Sequence, residues 1–146
     1  NPALRTTSQL LGSSAIAWYA PPLWAEAAAN GFPHSLAVVP VLLPTDHAAM
    51  RARIDHWLER ERIRPHIAGE FEDSALLSTF AASGMGVMPA PASLGAHLAQ
   101  TCALEWVGTT PDVHEQFHLI YSARKVMHPL LTRLLAAAAD EMLLNE

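Results

Sequence analysis

The sequence contains one cysteine, one lysine and no long apolar run, and each scarcity excludes a class of protein. Cys102 has no second cysteine to pair with, which excludes an internal disulfide framework. Lys125 is the only lysine and the formal net charge is −5, so the chain lacks the clustered cations that nucleic-acid binding needs. No apolar stretch approaches the roughly 18 residues of a membrane-spanning helix. The first residues show no secretion signal either, and we expect a cytoplasmic protein.

The composition is that of one folded domain. The chain has 146 residues, of which 51% are hydrophobic and 16% charged, enough apolar side chains to bury a core. Five of the eight arginines lie between positions 51 and 64, where they alternate with Asp55, Glu59 and Glu61. This mixture predicts a solvated, salt-bridged helix face in preference to a phosphate-binding patch.

Apolar runs alternate with helical patterns along the chain. Strands are predicted at 15–20, 66–71, 86–89, 103–107 and 116–122, with an irregular or edge strand at 38–43 because Pro40 and Pro44 interrupt it. Helices are predicted at 22–30, 46–63, 74–84, 93–100 and about 127–144. This alternation predicts an α/β fold with a mainly parallel sheet and helices on both faces.

Two helix starts carry polar residues. Thr45 is a candidate N-cap for the helix at 46–63, and Asp73 or Ser74 for the next. The acidic group Glu70, Glu72 and Asp73 has two interpretations. It could supply oxygen ligands to a hard cation, or Asp73 could cap the helix while Glu72 favours its positive end, and we favour capping.

The stretch from Gly69 to Leu77, followed by Phe80, the run Gly84-Met85-Gly86-Val87 and Pro89, resembles the second regulatory subdomain of LysR-type transcription regulators. Further segments resemble the sodium/proton antiporter regulator (NhaR-like) branch of that family. They are Phe32-Pro33, Leu42-Leu43-Pro44, Asp55-His56-Trp57, Ile63-Arg64-Pro65, Glu115-Gln116-Phe117 and His128-Pro129. Met88 and Ala90 depart from the family pattern, which usually has larger residues there.

The resemblance implies a doubly wound domain like half of a type II periplasmic binding protein, here truncated. Residues 1–110 would form the second regulatory subdomain, and residues 111–146 would return to a first subdomain that this chain lacks. Effectors in such folds bind beyond the carboxyl ends of the strands. The candidate effector-binding residues at those ends are Tyr19, Ala20, Pro21, Phe71, Glu72, Asp73, Ser74, Met88 and Pro89.

The resemblance implies effector sensing in a transcription regulator, without enzymatic activity or a cofactor. The resemblance to the branch named above implies sodium or pH as the signal. The partners would be a small-molecule or ion effector, a second copy of the chain covering the apolar last helix, and DNA only through a helix-turn-helix absent from this chain. The alternative is a fragment of a periplasmic-type solute-binding protein.

A third interpretation comes from His114-Glu115-Gln116-Phe117-His118, which matches the zinc-protease pattern His-Glu-x-x-His. On a helix, His114 and His118 would share a face and bind zinc, with Glu115 as general base. On a strand the two histidines would be about 13 Å apart. The β-rich sequence from Phe117 onward favours a strand, so we expect no metal and keep the two histidines as weak candidates.

Overall fold

The structure, a computed structural model, describes residues 6–122 as strands and helices in alternation. The strands are β1 (Thr6–Ala20), β2 (Pro40–Pro44), β3 (His66–Phe71), β4 (Met88–Pro91) and β5 (Glu105–Ser122). The α-helices are α1 (Pro22–Ala29), α2 (Ala49–Arg60), α3 (Ser74–Ala82) and α4 (Gly95–Cys102), with short 3₁₀ helices at His34–Ala37 and Ala92–Leu94. The predicted α/β class is confirmed. Within this part of the chain, no helix has the length and apolarity needed to span a bilayer.

Four of these strands point the same way, and β1 runs against them. β2 pairs in parallel with β3, and a parallel bridge between Val41 and Val87 joins β2 to the segment entering β4. β1 pairs antiparallel with β4 on one side and with β5 on the other, so β5 has the direction of β4. The strands thus form a parallel pair, β2-β3, and an antiparallel three-stranded sheet, β4-β1-β5, and the Val41–Val87 bridge connects the two in the order β3-β2-β4-β1-β5. Four of these five strands share one direction, as the predicted α/β fold requires, and β1 is the exception.

The sheet is covered on both faces because its inner strands alternate between two cores. In β1, Ile16 and Trp18 pack on one side with α1 and α2, whereas Ala17 and Tyr19 pack on the other with α3 and α4. Strand geometry sends successive side chains to opposite faces, and both faces of β1 are apolar, as expected of a strand buried on both sides. Helices on both faces are therefore confirmed.

The strand predicted at 38–43 is β2, and it is irregular as predicted, because its pairing with β3 shifts register between Val41 and Leu42. The edge position was wrong: β3 pairs on one side, Val87 bridges to Val41 on the other, and Val41, Leu42 and Leu43 are fully buried. Pro40 begins the strand and Pro44 ends it, positions at which the missing N–H breaks no ladder bond inside the strand. The Pro40 carbonyl still accepts a hydrogen bond from the Val87 N–H, at 2.9 Å.

Gly86 allows β2 and β4 to approach each other. A Cβ placed there would lie 2.7 Å from the Pro40 oxygen and 3.0 Å from the Pro40 carbonyl carbon, closer than real Cβ atoms come. Glycine is used where backbones must approach this closely. On the other side of the bridge, the Leu42 N–H donates to the Val87 carbonyl at 2.8 Å.

The two predicted helix caps have different outcomes. Asp73 is the N-cap of α3, and its carboxylate accepts a hydrogen bond from the Ala75 N–H at 2.7 Å. Thr45 does not cap α2, because the helix begins only at Ala49. The Thr45 carbonyl accepts the Ala48 N–H and closes a turn before the helix. The N-cap of α2 is Ala48, whose side chain makes no cap bond.

The two strands predicted at 103–107 and 116–122 are parts of one long strand, β5. Its first half pairs with 16–20, and its second half, after an irregularity at 111–113, pairs with 6–15. The division into residues 1–110 and 111–146 stays a prediction. The helix predicted at about 127–144, and the dimer contact expected through it, lie outside the described residues.

Candidate functional site

A cleft of about 770 Å³ lies at the carboxyl ends of β2, β3 and β4. We call it the carboxyl-edge cleft. Its apolar wall consists of Pro44, Ala48, Ala49, Met50, Phe71, Ala75, Leu77, Met88, Pro89, Ala90, Pro91, Leu94, Leu98 and Phe117. Its polar groups are Arg53, Glu72, Ser74, Ser78, His97, Glu115 and Gln116. An apolar body with a few converging polar groups is the usual form of a small-molecule site.

The N-terminus of α2 opens into this cleft without a side-chain cap. Ala48, Ala49 and Met50 all line the cleft, and the Ala48 side chain accepts nothing from the helix. The first N–H groups of an α-helix have no partner within the helix, and the helix dipole adds partial positive charge there. One turn further along, Arg53 also lines the cleft. Together they provide free donors and positive charge on one wall.

Arg53 also ties α2 to the long strand β5. Its guanidinium donates a hydrogen bond to the His114 carbonyl. A second contact between these elements is the ion pair of Arg60 with Asp112, with N and O 3.6 Å apart, well outside the cleft lining. The cleft wall formed by α2 is thus fixed to the strand that carries Glu115 and Gln116.

Arg51 holds α2 against β2 and β3, contrary to the solvated face predicted for this arginine-rich helix. Its side chain is only 11% exposed and pairs with Glu70 at 2.5 Å and Asp55 at 2.9 Å, while also donating to the Pro44 carbonyl at 2.9 Å. Burial alone would lower the pKa of Arg51, but the hydrogen bonds to Glu70 and Asp55 outweigh it and raise that pKa. A buried arginine needs such partners, because an unpaired buried charge is costly.

The acidic group at 70–73 is divided among three roles. Glu70 pairs with Arg51, Asp73 caps α3, and Glu72 alone lines the cleft. Two of the three carboxylates are therefore occupied by protein groups. Among residues 6–122 no cluster of three or more histidine, cysteine, aspartate or glutamate side chains could hold a metal ion.

Glu115 is the titratable group of the cleft whose environment changes its proton affinity. Burial raises the pKa of its carboxyl above the ordinary glutamate value of 4.5, and the nearby positive charge of Arg53 partly opposes the rise. A carboxyl at this position can therefore bind a proton at less acidic pH than a solvated one.

The amino-acid sequence matches one family model along nearly its whole length. The model describes the LysR substrate binding domain, and the match covers residues 4–143. The chain belongs to this family.

Regulators and effector domains are similar to the chain. The transcriptional activator protein NhaR of Escherichia coli is 25% identical over 103 residues, which cover 70% of this chain and 34% of NhaR. The nitrogen assimilation regulatory protein Nac of Escherichia coli is 31% identical over 114 residues, 77% of this chain and 35% of Nac. The chain thus spans about a third of the length of these relatives. The effector-binding domain of QuiR in complex with shikimate has a TM-score of 0.61 and 14% identity, with 96% of this chain and 65% of that one covered.

The structure brings most of the predicted effector-binding residues of this LysR-family domain into the carboxyl-edge cleft. Phe71, Glu72, Ser74, Met88 and Pro89 all line it. Asp73 lies at its edge and caps α3, and its side chain is outside the lining.

Tyr19, Ala20 and Pro21 lie elsewhere, because β1 runs against the other strands and its carboxyl end comes out at a different place. Tyr19 pairs with Met88, the first residue of β4, and with Trp106 of β5. Its side chain lines a separate groove beside α4, while Ala20 and Pro21 line neither the groove nor the cleft.

The His-Glu-x-x-His segment lies on a strand, as the β-rich sequence predicted. β5 runs through His114 and His118 without a helical turn, so their Cα atoms are about 13 Å apart. The helix on which two such histidines would share a zinc ion is not formed here.

Sequence reasoning missed Arg53, His97, Glu115 and Gln116 as cleft residues. In the sequence, Arg53 is one of several arginines on a predicted helix. Its place in the cleft depends on how α2 packs against β5. Glu115 and Gln116 follow an irregularity in β5 that no local pattern revealed. The uncapped N-terminus of α2 could have been predicted, because the alanines at 48, 49 and 52 have no side-chain oxygen that could cap the helix.

Proposed function

We propose that this chain is the effector-sensing domain of a LysR-type transcription regulator and that its effector is a small organic anion bound in the carboxyl-edge cleft. The observation that supports this most is the pairing of an uncapped helix start with a nearby arginine on the same wall. Ala49 and Met50, the first two residues of α2, offer backbone N–H groups, and Arg53 adds a full positive charge. A helix start of this kind favours a carboxylate or phosphate.

The body of the ligand would lie against the apolar wall. Phe71, Met88 and Leu98 form an apolar surface facing the polar groups. Glu72 would accept a hydrogen bond from a hydroxyl or amine on the ligand, and Ser74 could accept or donate. Ser78 could accept, because its hydroxyl proton is donated to the Ala75 carbonyl at 3.0 Å. The QuiR domain, solved with shikimate, supports a small polar ligand for a domain of this fold.

The wider role rests on the similarity to regulators. NhaR and Nac are regulatory proteins, which favours a regulator over a solute-binding protein or a hydrolase. Ligand binding would then change how this domain sits on the rest of the protein and thereby alter promoter output, through a shift between two arrangements. We propose a cytoplasmic, non-enzymatic, oligomeric regulator that contacts DNA through another segment. The sodium or pH response implied by the resemblance to the NhaR-like branch stays a prediction.

The test uses two arginines of α2 that both tie the helix to β5 but differ in access to the cleft. Arg53→Met removes the cleft cation, and Arg60→Met removes the ion pair with Asp112 outside it. Small carboxylates and their neutral amides would be titrated by calorimetry into the wild type and both variants. Carboxylates that bind should lose about tenfold or more of their affinity in Arg53→Met, the usual value of a hydrogen bond to a charged group.

Arg60→Met should bind those carboxylates as the wild type does. The proposal is refuted if amides bind as tightly as the matching acids, or if the two variants lose affinity equally. A reporter assay with the full-length regulator would then ask whether the same ligands change promoter output and whether Arg53→Met abolishes the change.

A further inference from the structure

A second groove, of about 950 Å³, lies beside α4 and is separate from the carboxyl-edge cleft. We call it the Trp106 groove. It is lined by Tyr19, Pro22, Ala92, Gly95, Trp106 and their neighbours along α4 and β5. The two sites lie against different sides of the segment at 92–102. Leu94, His97 and Leu98 line the cleft, and Ala92, Gly95 and Ala99 line the groove.

The Tyr19 side chain brings its hydroxyl to this groove. The residue is only 2% exposed, so most of its ring is packed into the core. Burial raises the pKa of the phenol hydroxyl. The hydroxyl passes beside Gly95, where a Cβ would come within 2.9 Å of it. A phenol hydroxyl can donate and accept hydrogen bonds, so it can bind a polar group of a ligand that lies in the groove.

Trp106 forms an exposed but oriented wall of the same groove. The residue is 63% exposed, yet its indole N–H donates to the Thr109 hydroxyl at 3.0 Å. This bond uses the polar edge of the ring and leaves its apolar faces available. An aromatic face held in one orientation suits stacking with a planar ligand or contact with a cation.

The charge of the residues that line the groove determines which ligands it favours. Among the described residues that line the groove, Glu105 is the charged one, and it is exposed at the rim. Small side chains, mostly alanine with Gly95, leave room along α4. With a carboxylate and no cation among these lining residues, the groove should disfavour anions and accept neutral or positively charged rings.

We propose that the Trp106 groove is a second small-molecule site, which takes a neutral or cationic aromatic compound between Trp106 and α4 with a hydrogen bond to the Tyr19 hydroxyl. The proposal does not depend on what the cleft binds. Because α4 lies between both sites, an occupant of the groove contacts the helix that also forms part of the cleft wall.

The test is a charge series on one ring system. Indole, the cationic tryptamine and the anionic indole-3-acetate would be titrated into the full chain and followed by ligand-detected NMR. Tryptamine should bind most tightly and indole-3-acetate most weakly, and Glu105→Gln should remove the difference between tryptamine and indole.

Two variants and a control locate the binding. Trp106→Ala should weaken tryptamine by about tenfold through loss of the aromatic face. Tyr19→Phe removes a single oxygen and should weaken it by about threefold to tenfold. Val38→Ala shortens a side chain that is 78% exposed and outside the groove, and should change nothing. Equal binding by the wild type and Trp106→Ala, or a preference for indole-3-acetate, would overturn the proposal.

Discussion

Replacing Gly86 by alanine tests how the strands beneath the carboxyl-edge cleft are joined. The added methyl group would lie 2.7 Å from the Pro40 oxygen. That oxygen is a backbone atom, and the methyl carbon is bonded directly to the backbone Cα of residue 86. No rotamer change can relieve this contact. The strands β2 and β4 must separate, which stretches the two hydrogen bonds that connect Val87 with Pro40 and Leu42.

The expected cost follows from these two effects. Forcing an extra methyl group into a packed region costs about 1–3 kcal/mol. Weakening two backbone hydrogen bonds adds up to about 1 kcal/mol for each, and the lower entropy of an unfolded alanine chain returns about 0.4–1 kcal/mol. We expect a net loss of about 2–4 kcal/mol, or roughly 5–15 °C in melting temperature for a domain of this size.

Gly69→Ala is the matched control, because Gly69 lies on the adjacent strand β3 and its added methyl would meet only side-chain atoms. Those atoms are the ends of Met85, Phe71 and Leu42, at 3.0–3.4 Å, and the nearest is a flexible methionine methyl. Thermal unfolding followed by circular dichroism should show a shift of about 3 °C or less for this variant. A Gly86→Ala protein that melts within 2 °C or so of the wild type would refute the proposed close contact.

Two further predictions concern the polar residues around the cleft. Asp73→Ala should lower stability by about 1 kcal/mol in urea unfolding, because the Ala75 N–H loses its cap, while the ligands of the cleft bind unchanged. Weakened ligand binding at unchanged stability would instead make Asp73 a ligand contact. Glu115 should make stability depend on pH: its pKa is raised in the folded chain, so its contribution is complete below pH 4.5 and is lost as the pH rises through the raised value. Glu115→Gln should therefore be more stable than the wild type at pH 8 and equal to it near pH 4, and a constant difference across that range would contradict the burial of this carboxyl.

Local signals determined most of the secondary structure. Asp73 caps α3 because its short carboxylate reaches the second N–H of the helix, a relation that lies within three residues of sequence. The apolar run 15–20 was predicted as a buried strand and lies within β1. The prolines at 40 and 44 were misleading about an edge position, since their effect on a strand depends on whether they stand inside it or at its ends.

The candidate site was predictable only in part. Phe71 and Glu72 lie at the carboxyl end of β3, where the rule for ligand sites in such sheets points, and both line the cleft. Met88 also lines the cleft but begins β4, so the rule does not account for it. That these residues bind an effector stays a prediction. Tyr19 fulfils the same local criterion but belongs to the antiparallel strand, and strand direction is a property of pairing between distant segments. Arg53 and Glu115 meet only because α2 packs across β5.

The single cysteine and the alternation of apolar runs with helical patterns determined by themselves an α/β fold without an internal disulfide. These properties follow from composition and from periods of two and 3.6 residues, which the sequence displays directly. Only the tertiary structure decided that β1 runs against its neighbours. That direction separates Tyr19, which lines the Trp106 groove, from the predicted residues that line the carboxyl-edge cleft. It arises from hydrogen-bond register between segments about 70 to 115 residues apart in the chain.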